Sequence, residues 1–347
     1  MPIHALYALS AALLFGMATP LAKLLLNSVS PLMLAALLYL GSGLGLACVR
    51  LLRRQSTVLP QGPEWLWLAG AVLAGGVAGP VLLMLGLGGF SASGASLLLN
   101  SEGVLTALLA WCVFKENFDR RIALGMLAIV AGALVLGWPG PAGLQGGSLA
   151  SAGLIVAACL AWAIDNNLTR KVSLADAGFI AMAKGLAAGS VSLLLAWASG
   201  AVLPPAGVVA QAALLGFASY GVSLVLFVLA LRHLGTARTG AYFAVAPFAG
   251  ALLSVWLLDE PVTWQLLLGG ALMAVGVLLH LAERHVHAHA HGPQEHDHMH
   301  THGADEHHHH DHPFPVAAGT SHRHLHQHLP LVHTHPHFPD AHHGHSH

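Results

Sequence analysis

Apolar runs close to the roughly 20 residues that a helix needs to cross a hydrocarbon core follow one another along most of this chain. Marked off by charges and turn residues, they predict ten membrane-spanning helices at 4–25, 31–52, 65–88, 91–114, 119–138, 150–169, 177–199, 207–231, 237–258 and 262–282. The links are short and rich in Gly and Pro, as in Pro139-Gly140-Pro141-Ala142-Gly143 and Pro204-Pro205, and leave no room for a soluble domain between spans. The first run lacks the basic leader of a signal peptide and is long enough to span, so it is expected to remain as helix one. Past residue 283 the apolar pattern stops and histidine alternates with other residues. The expected fold is an all-α membrane protein of ten transmembrane helices followed by a disordered His-rich tail.

Composition agrees with the pattern. Only 8% of the 347 residues are charged, against about 25% in soluble domains. A formal charge of −1 gives no basic footprint for nucleic acid. Arg50, Arg53, Arg54, Lys115, Arg120, Arg121, Arg170, Lys171, Arg232, Arg238 and Arg284 all fall on the side shared by the two termini. The opposite side carries Lys23 near a helix end, together with Asp259 and Glu260. The positive-inside rule therefore puts both termini in the cytoplasm of an inner or plasma membrane, with Lys23 snorkelling toward the far interface. Cys48, Cys112 and Cys159 lie in apolar stretches with no CxxC spacing, which points to packing rather than a disulfide or zinc knuckle.

The chain also repeats itself. SASGAS at 91–96 parallels TARTGA at 236–241, Trp111 parallels Trp256, and LGMLAIVAG at 124–132 parallels LGGALMAVG at 268–276, always 144 or 145 residues apart. Five spans per repeat is an odd number, so the halves are expected in opposite orientation, the design of many secondary transporters. The expected organisation is one repeat at 1–138, a linker at 139–149, a second repeat at 150–283 and the tail at 284–347.

With LLAWCVFKE (108–116) matched by LLSVWLLDE (252–260), and Glu116 by Glu260, this arrangement resembles the EamA-type branch of the drug/metabolite transporter superfamily over residues 4–283. The resemblance implies a secondary transporter exporting a small solute by alternating access, not an enzyme, with no required cofactor. Its partners would be the lipid bilayer and a small-molecule substrate, and a homodimer is one assembly open to it.

Candidate residues follow from the cost of polarity in hydrocarbon. Glu102, in LLLNSEGVLTALL, falls inside the fourth run beside Asn100 and Ser101, where an ionised carboxylate costs several kcal/mol unless it faces the bundle interior. Lys184 in the seventh run is its candidate counter-ion, in which case the two would form a switchable pair, and a lysine snorkelling toward the cytoplasmic interface is the competing reading. Asp165, Asn166 and Asn167 cluster at the cytoplasmic end of the sixth run, where a polar helix end beside headgroups is the simpler reading and solute gating the alternative. Helix breaks are expected at Gly16 and Pro20, at GGVAGP (75–80), at Gly216 and Gly221 around Tyr220, and at Pro247, with Tyr220 and Tyr242 as cavity-lining candidates. Trp65, Trp67, Trp138, Trp197 and Trp264 lie near span ends as interfacial anchors.

All but three of the 27 histidines, the exceptions being His4, His233 and His280, stand in the tail. Imidazole favours borderline divalent metals, so His285, His287, His289, His291, His296, His298, His300, His302, His307, His308, His309, His310, His312, His322, His324, His326 and His328 are candidate ligands for Ni, Co, Zn or Cu. Three readings follow: an exporter of a small metabolite or other small solute with a metal-binding tail, a Ni/Co/Zn efflux transporter, or a membrane-anchored metal buffer or sensor that transports nothing.

Overall fold

The computed structural model describes residues 3–53, 59–114, 120–138, 148–172, 175–227, 229–230, 239, 242–281, 286–291, 294–301, 321–328 and 331–336. Its first unit is a bundle of helices: α1 (Ile3–Gly16), α2 (Ala18–Leu25), α3 (Pro31–Arg53), α4 (Glu64–Ala71), α5 (Gly79–Gly88), α6 (Ala92–Leu98), α7 (Ser101–Phe114), α8 (Arg120–Gly137), α9 (Leu149–Arg170), α10 (Ala177–Ala198), α11 (Ala206–Gly216), α12 (Ala246–Leu257) and α13 (Trp264–Leu281). Among the described residues, six stretches are long and apolar enough to cross a membrane: Ile3–Leu25, Pro31–Arg53, Glu64–Gly88, Leu149–Thr169, Gly178–Ala198 and Ala206–Phe227. Three shorter apolar helices, Ala123–Gly137, Ala246–Leu257 and Trp264–Leu279, accompany them. The expected fourth span is described as α6 and α7, separated at Leu99–Asn100.

Packing inverts the soluble pattern. On α1 the small residues Ala5, Ala8, Ala12 and Gly16, spaced three or four apart, are buried, while Leu6 and Leu13 point outward. Large side chains facing hydrocarbon lose nothing by exposure, and small ones let backbones approach closely. The duplicated glycines use this reciprocally. A Cβ on Gly132 would stand 2.8 Å from the carbonyl oxygen of Gly269, and one on Gly276 would stand 2.6 Å from that of Gly125. The early part of α8 thus meets the late part of α13 and vice versa, so the two helices run antiparallel.

Irregularities recur at the same interval. A π-helical segment at Val72–Ala78 joins α4 to α5, and another at Phe217–Val222 follows α11, 145 residues later. The non-helical pair Leu99 and Asn100 is matched by Ala244 and Val245, again 145 apart. The breaks foreseen at GGVAGP and around Tyr220 are these π segments. Pro247 instead sits in the first turn of α12, where its missing N–H costs nothing, and the first span breaks at Met17 with Pro20 inside α2.

Helix α10 starts at a strong cap. Asp176 Oδ1 accepts from the Phe179 backbone N–H at 2.7 Å and from Arg50 Nη1 at 2.5 Å. Asp176→Ala is expected to cost about 1–2 kcal/mol, whereas Asp176→Asn keeps most of the cap and loses only the ion pair. Thermal unfolding of the detergent-solubilised protein should rank them wild type, Asn, Ala.

The described residues of the second unit, in the tail, form four strands. β1 (Val286–His291) pairs antiparallel with β4 (Leu331–Pro336), and β2 (Gln294–Thr301) with β3 (Ser321–His328). Alternation of histidine with other residues has the period of two that strands share. The register sets His289 opposite His333, His298 opposite His324 and His300 opposite His322. His285, His302, His307, His308, His309, His310 and His312 lie outside the described residues.

Candidate functional site

A cluster of polar residues gathers around α9, from the buried Asp165 to the exposed Asn166. Its buried Asp165 receives the Lys184 ammonium of α10 on both carboxylate oxygens, each at 2.6 Å, and the Thr169 hydroxyl one turn away at 2.8 Å. Lys184 Nζ also lies 3.4 Å from Thr169 Oγ1. Lys184 therefore pairs with Asp165, and the Glu102–Lys184 pair expected from sequence is not formed. Asp165, expected at a polar helix end beside the headgroups, is only 6% exposed. Lys184 supplies the compensation without which a buried carboxylate would be severely penalised.

The next residue on α9 reaches the other way. Asn166 Nδ2 donates to Glu102 Oε1 at 2.8 Å and lies 3.4 Å from Thr106 Oγ1, both on α7. Asn167 Nδ2 turns back to the Ala163 carbonyl of its own helix at 2.8 Å and lies 3.5 Å from the Thr106 carbonyl. Consecutive residues of one helix thus hold a carboxylate in the first half and an ammonium in the second. Glu102 stands in the first turn of α7, just past the break. Asn100 explains part of that break: it is buried, and its Nδ2 donates to the Leu97 carbonyl at 2.9 Å, satisfying an acceptor at the end of α6. Its neighbour Ser101 is buried as well.

Below the ion pair runs the first π segment. A wide turn there frees the Gly75 carbonyl, which accepts from Tyr39 Oη at 3.0 Å and from Trp162 Nε1 at 2.9 Å. A Cβ on Gly75 would overlap the Asp165 carboxylate, so only glycine admits the ion pair against this backbone. Tyr220, from the second π segment, packs on Tyr39 with ring centroids 5.5 Å apart and meets Phe15 edge-on at 6.0 Å. The row continues through Phe243 to Phe227, at 5.5 and 4.8 Å. Phe243 supplies the ring in this row; Tyr242, its half-buried neighbour, was the residue favoured from sequence.

Tyr39 and Trp162 escaped the sequence reading because neither carries a charge at neutral pH and both lie inside unbroken helices. One signal was there: Lys184 follows Tyr39 by 145 residues, the interval of the repeat. Lys23, expected to snorkel toward the far interface, bonds within the protein instead. Its ammonium turns inward to the carbonyls of Leu87, Phe90 and Gly88 at 2.5, 2.9 and 3.4 Å, because the unsatisfied end of α5 lies within reach. Chemically, the centre offers two carboxylates, one ammonium, two amides and hydroxyls beside an aromatic row. Such a set can exchange partners with a polar solute or a proton without leaving a buried charge unpaired.

Comparison with known proteins sets this geometry in context. The model of the EamA-like transporter family matches residues 2–138 and again 149–282, one match on each duplicated half. A protein of Methanothermobacter thermautotrophicus (strain ATCC 29096 / DSM 1053 / JCM 10044 / NBRC 100330 / Delta H), described as an uncharacterized transporter, is 28% identical over 287 residues, spanning 78% of this chain and 84% of its own. A solved protein crystal structure with 20% sequence identity shares the fold at a TM-score of 0.59, over 80% of this chain and 95% of its own. Two family matches in tandem, on a bundle whose apolar helices are long enough to span a bilayer, lead to one assignment: the chain belongs to the EamA-like transporter family and is a multi-pass membrane transporter of small solutes.

Proposed function

We propose that the protein is a ten-span secondary transporter built of two inverted five-helix repeats, exporting a small solute by alternating access from a cytoplasm that holds both termini. The observation that carries this reading is the bridge through α9, where Asp165 takes Lys184 and Asn166 takes Glu102. A shift of α9 alters both contacts together, so occupancy by solute or coupling ion is linked to the relation between the halves. Glu102, Asp165, Asn166 and Lys184 form the working centre, with Tyr39 and Tyr220 beside it.

The tail is read as a binder of divalent transition metals. Opposed positions of an antiparallel pair have Cβ atoms about 4.5–5.5 Å apart, and the register supports the reading by setting histidine opposite histidine.

One experiment tests core and tail together. Sealed vesicles and cells carrying the wild-type protein, Glu102→Gln, or a chain ending at Arg284 are compared for exported solutes and for bound Ni, Co, Zn and Cu. Gln keeps a carbonyl for Asn166 Nδ2, so Glu102→Gln is expected to elute as a monodisperse folded protein and to lower export at least tenfold. The shortened chain is expected to lose metal and keep export. Export unchanged in Glu102→Gln removes that carboxylate from the mechanism. Metal export that depends on Glu102 makes the metal the cargo, and metal retention without any export leaves a buffer.

A further inference from the structure

A second set of charged contacts lies where α2, α5, α6 and the segment after α12 come together, and the working centre does not use it. Lys23, in the last turn of α2, places its three donors on the carbonyls of Leu87, Gly88 and Phe90, the negative end of α5. On the other side of the same turn, Glu260 accepts from the Ala92 N–H at 2.6 Å, the Ser93 N–H at 2.9 Å and the Ser93 hydroxyl at 2.5 Å. Asp259 just before it adopts a left-handed φ of 49°, unusual for a residue with a side chain and followed by Glu260-Pro261, so the backbone spends strain on aiming this carboxylate. The turn at Phe90–Ser91 is thus gripped by a cation from its own half and a carboxylate from the other.

What lies beneath is an interface suited to parting. Ser96, one turn along α6, faces Gly250 of α12, where a Cβ would come within 2.8 Å of the serine hydroxyl and 2.6 Å of the Gly16 carbonyl oxygen. These are small residues in van der Waals contact. The buried Ser96 hydroxyl has no hydrogen-bond partner among the described residues, so separating α6 from α12 breaks no bond there and hydrates a group that lacks a partner. Directional attachment across the halves at this end comes from Glu260.

We infer that Glu260, acting on a turn held by Lys23, is the releasable latch that closes this end of the solute path, which makes both of them positioning residues for transport. The inference rests on the alternating-access reading, in which the halves must separate at one end at a time. Glu260→Gln tests it selectively. Both carboxylate oxygens accept from backbone N–H groups, so an amide must turn its own donor against one of them, and the charge-assisted bonds, roughly twice as strong as neutral ones, are lost.

The readout is thiol accessibility. Ser96→Cys is introduced into a chain in which Cys48, Cys112 and Cys159 are alanine, and a membrane-impermeant maleimide is added to each side of sealed vesicles in turn. Glu260→Gln is expected to raise labelling at least tenfold from the side where the first span ends, and to leave the other side unchanged or slower. Lys23→Ala should act in the same direction, and Lys23→Arg should restore slow labelling. Monodisperse elution of each variant separates opening from unfolding. Labelling unchanged by Glu260→Gln, or raised equally from both sides, overturns the latch. Because labelling needs no transport activity, a side-specific change in a protein that exports nothing would uphold the latch while the transport reading fails.

Discussion

Asp165→Ala is expected to lower the unfolding free energy of the detergent-solubilised protein by about 3–5 kcal/mol, the range for removing one partner of a buried ion pair. The substitution strands the Lys184 ammonium between α9 and α10, with the Thr169 hydroxyl at 3.4 Å as its remaining hydrogen-bond partner there. The attraction itself contributes less than this figure, because the folded state has already given up the hydration of both ions. The double substitution Asp165→Ala/Lys184→Met removes both charges and should recover most of the lost stability, since apolar replacements of buried pairs are often neutral. Chemical unfolding followed by tryptophan fluorescence separates the cases. Equal loss in the single and double variants would mean that water already solvates the lysine. On the proposed reading transport is expected to be lost in the double variant as well, which would divide the ion pair's part in transport from its part in folding.

Gly216→Ala is expected to be nearly as damaging, although alanine is favoured over glycine in a helix by about 1 kcal/mol. Here α11 crosses α3 so closely that a Cβ would overlap the Leu38 carbonyl oxygen and stand 2.6 and 2.7 Å from its carbonyl carbon and Cα. Backbone atoms cannot rotate away as a side-chain end can. The helices must separate, and overpacking of this kind costs about 1–3 kcal/mol or more, so the clash outweighs the propensity. Gly153→Ala on α9 is the control: nothing lies within 4 Å of a Cβ there, and the substitution should be neutral or stabilising. Melting temperatures should place Gly153→Ala at or above wild type and Gly216→Ala several degrees below.

The parts of the molecule legible in sequence were those set by solvent. Apolar length located the helices, because hydrocarbon requires every backbone polar group to bond within its own segment. Gly75, Gly76 and Gly221 announced irregular backbone, and π segments appeared there. Residue type and depth also flagged Glu102, Lys184 and Asp165, since charge in a span is costly wherever it points. Partnership was not legible. Choosing Asp165 over Glu102 for Lys184 depends on the rotation of α9 about its axis and on Gly75 making room, and neither is encoded in spacing along a single helix. For Lys23 the deciding feature was the open end of α5, 64 residues away in sequence.

The recurrence of π segments and helix breaks every 145 residues has an energetic corollary. On the alternating-access reading proposed above, halves identical in sequence would swap conformations between the two access states with no change in free energy, and each state would be half populated. Matched backbone irregularities supply that degeneracy, and unmatched side chains lift it. Tyr39 stands 145 residues before Lys184 and Gly75 the same distance before Tyr220, so the charge falls on one side of the match and the bare backbone on the other. A mismatch worth about 1.4 kcal/mol is enough to skew the two populations tenfold. The state in which the protein rests is therefore a property of its divergence from its own duplicate.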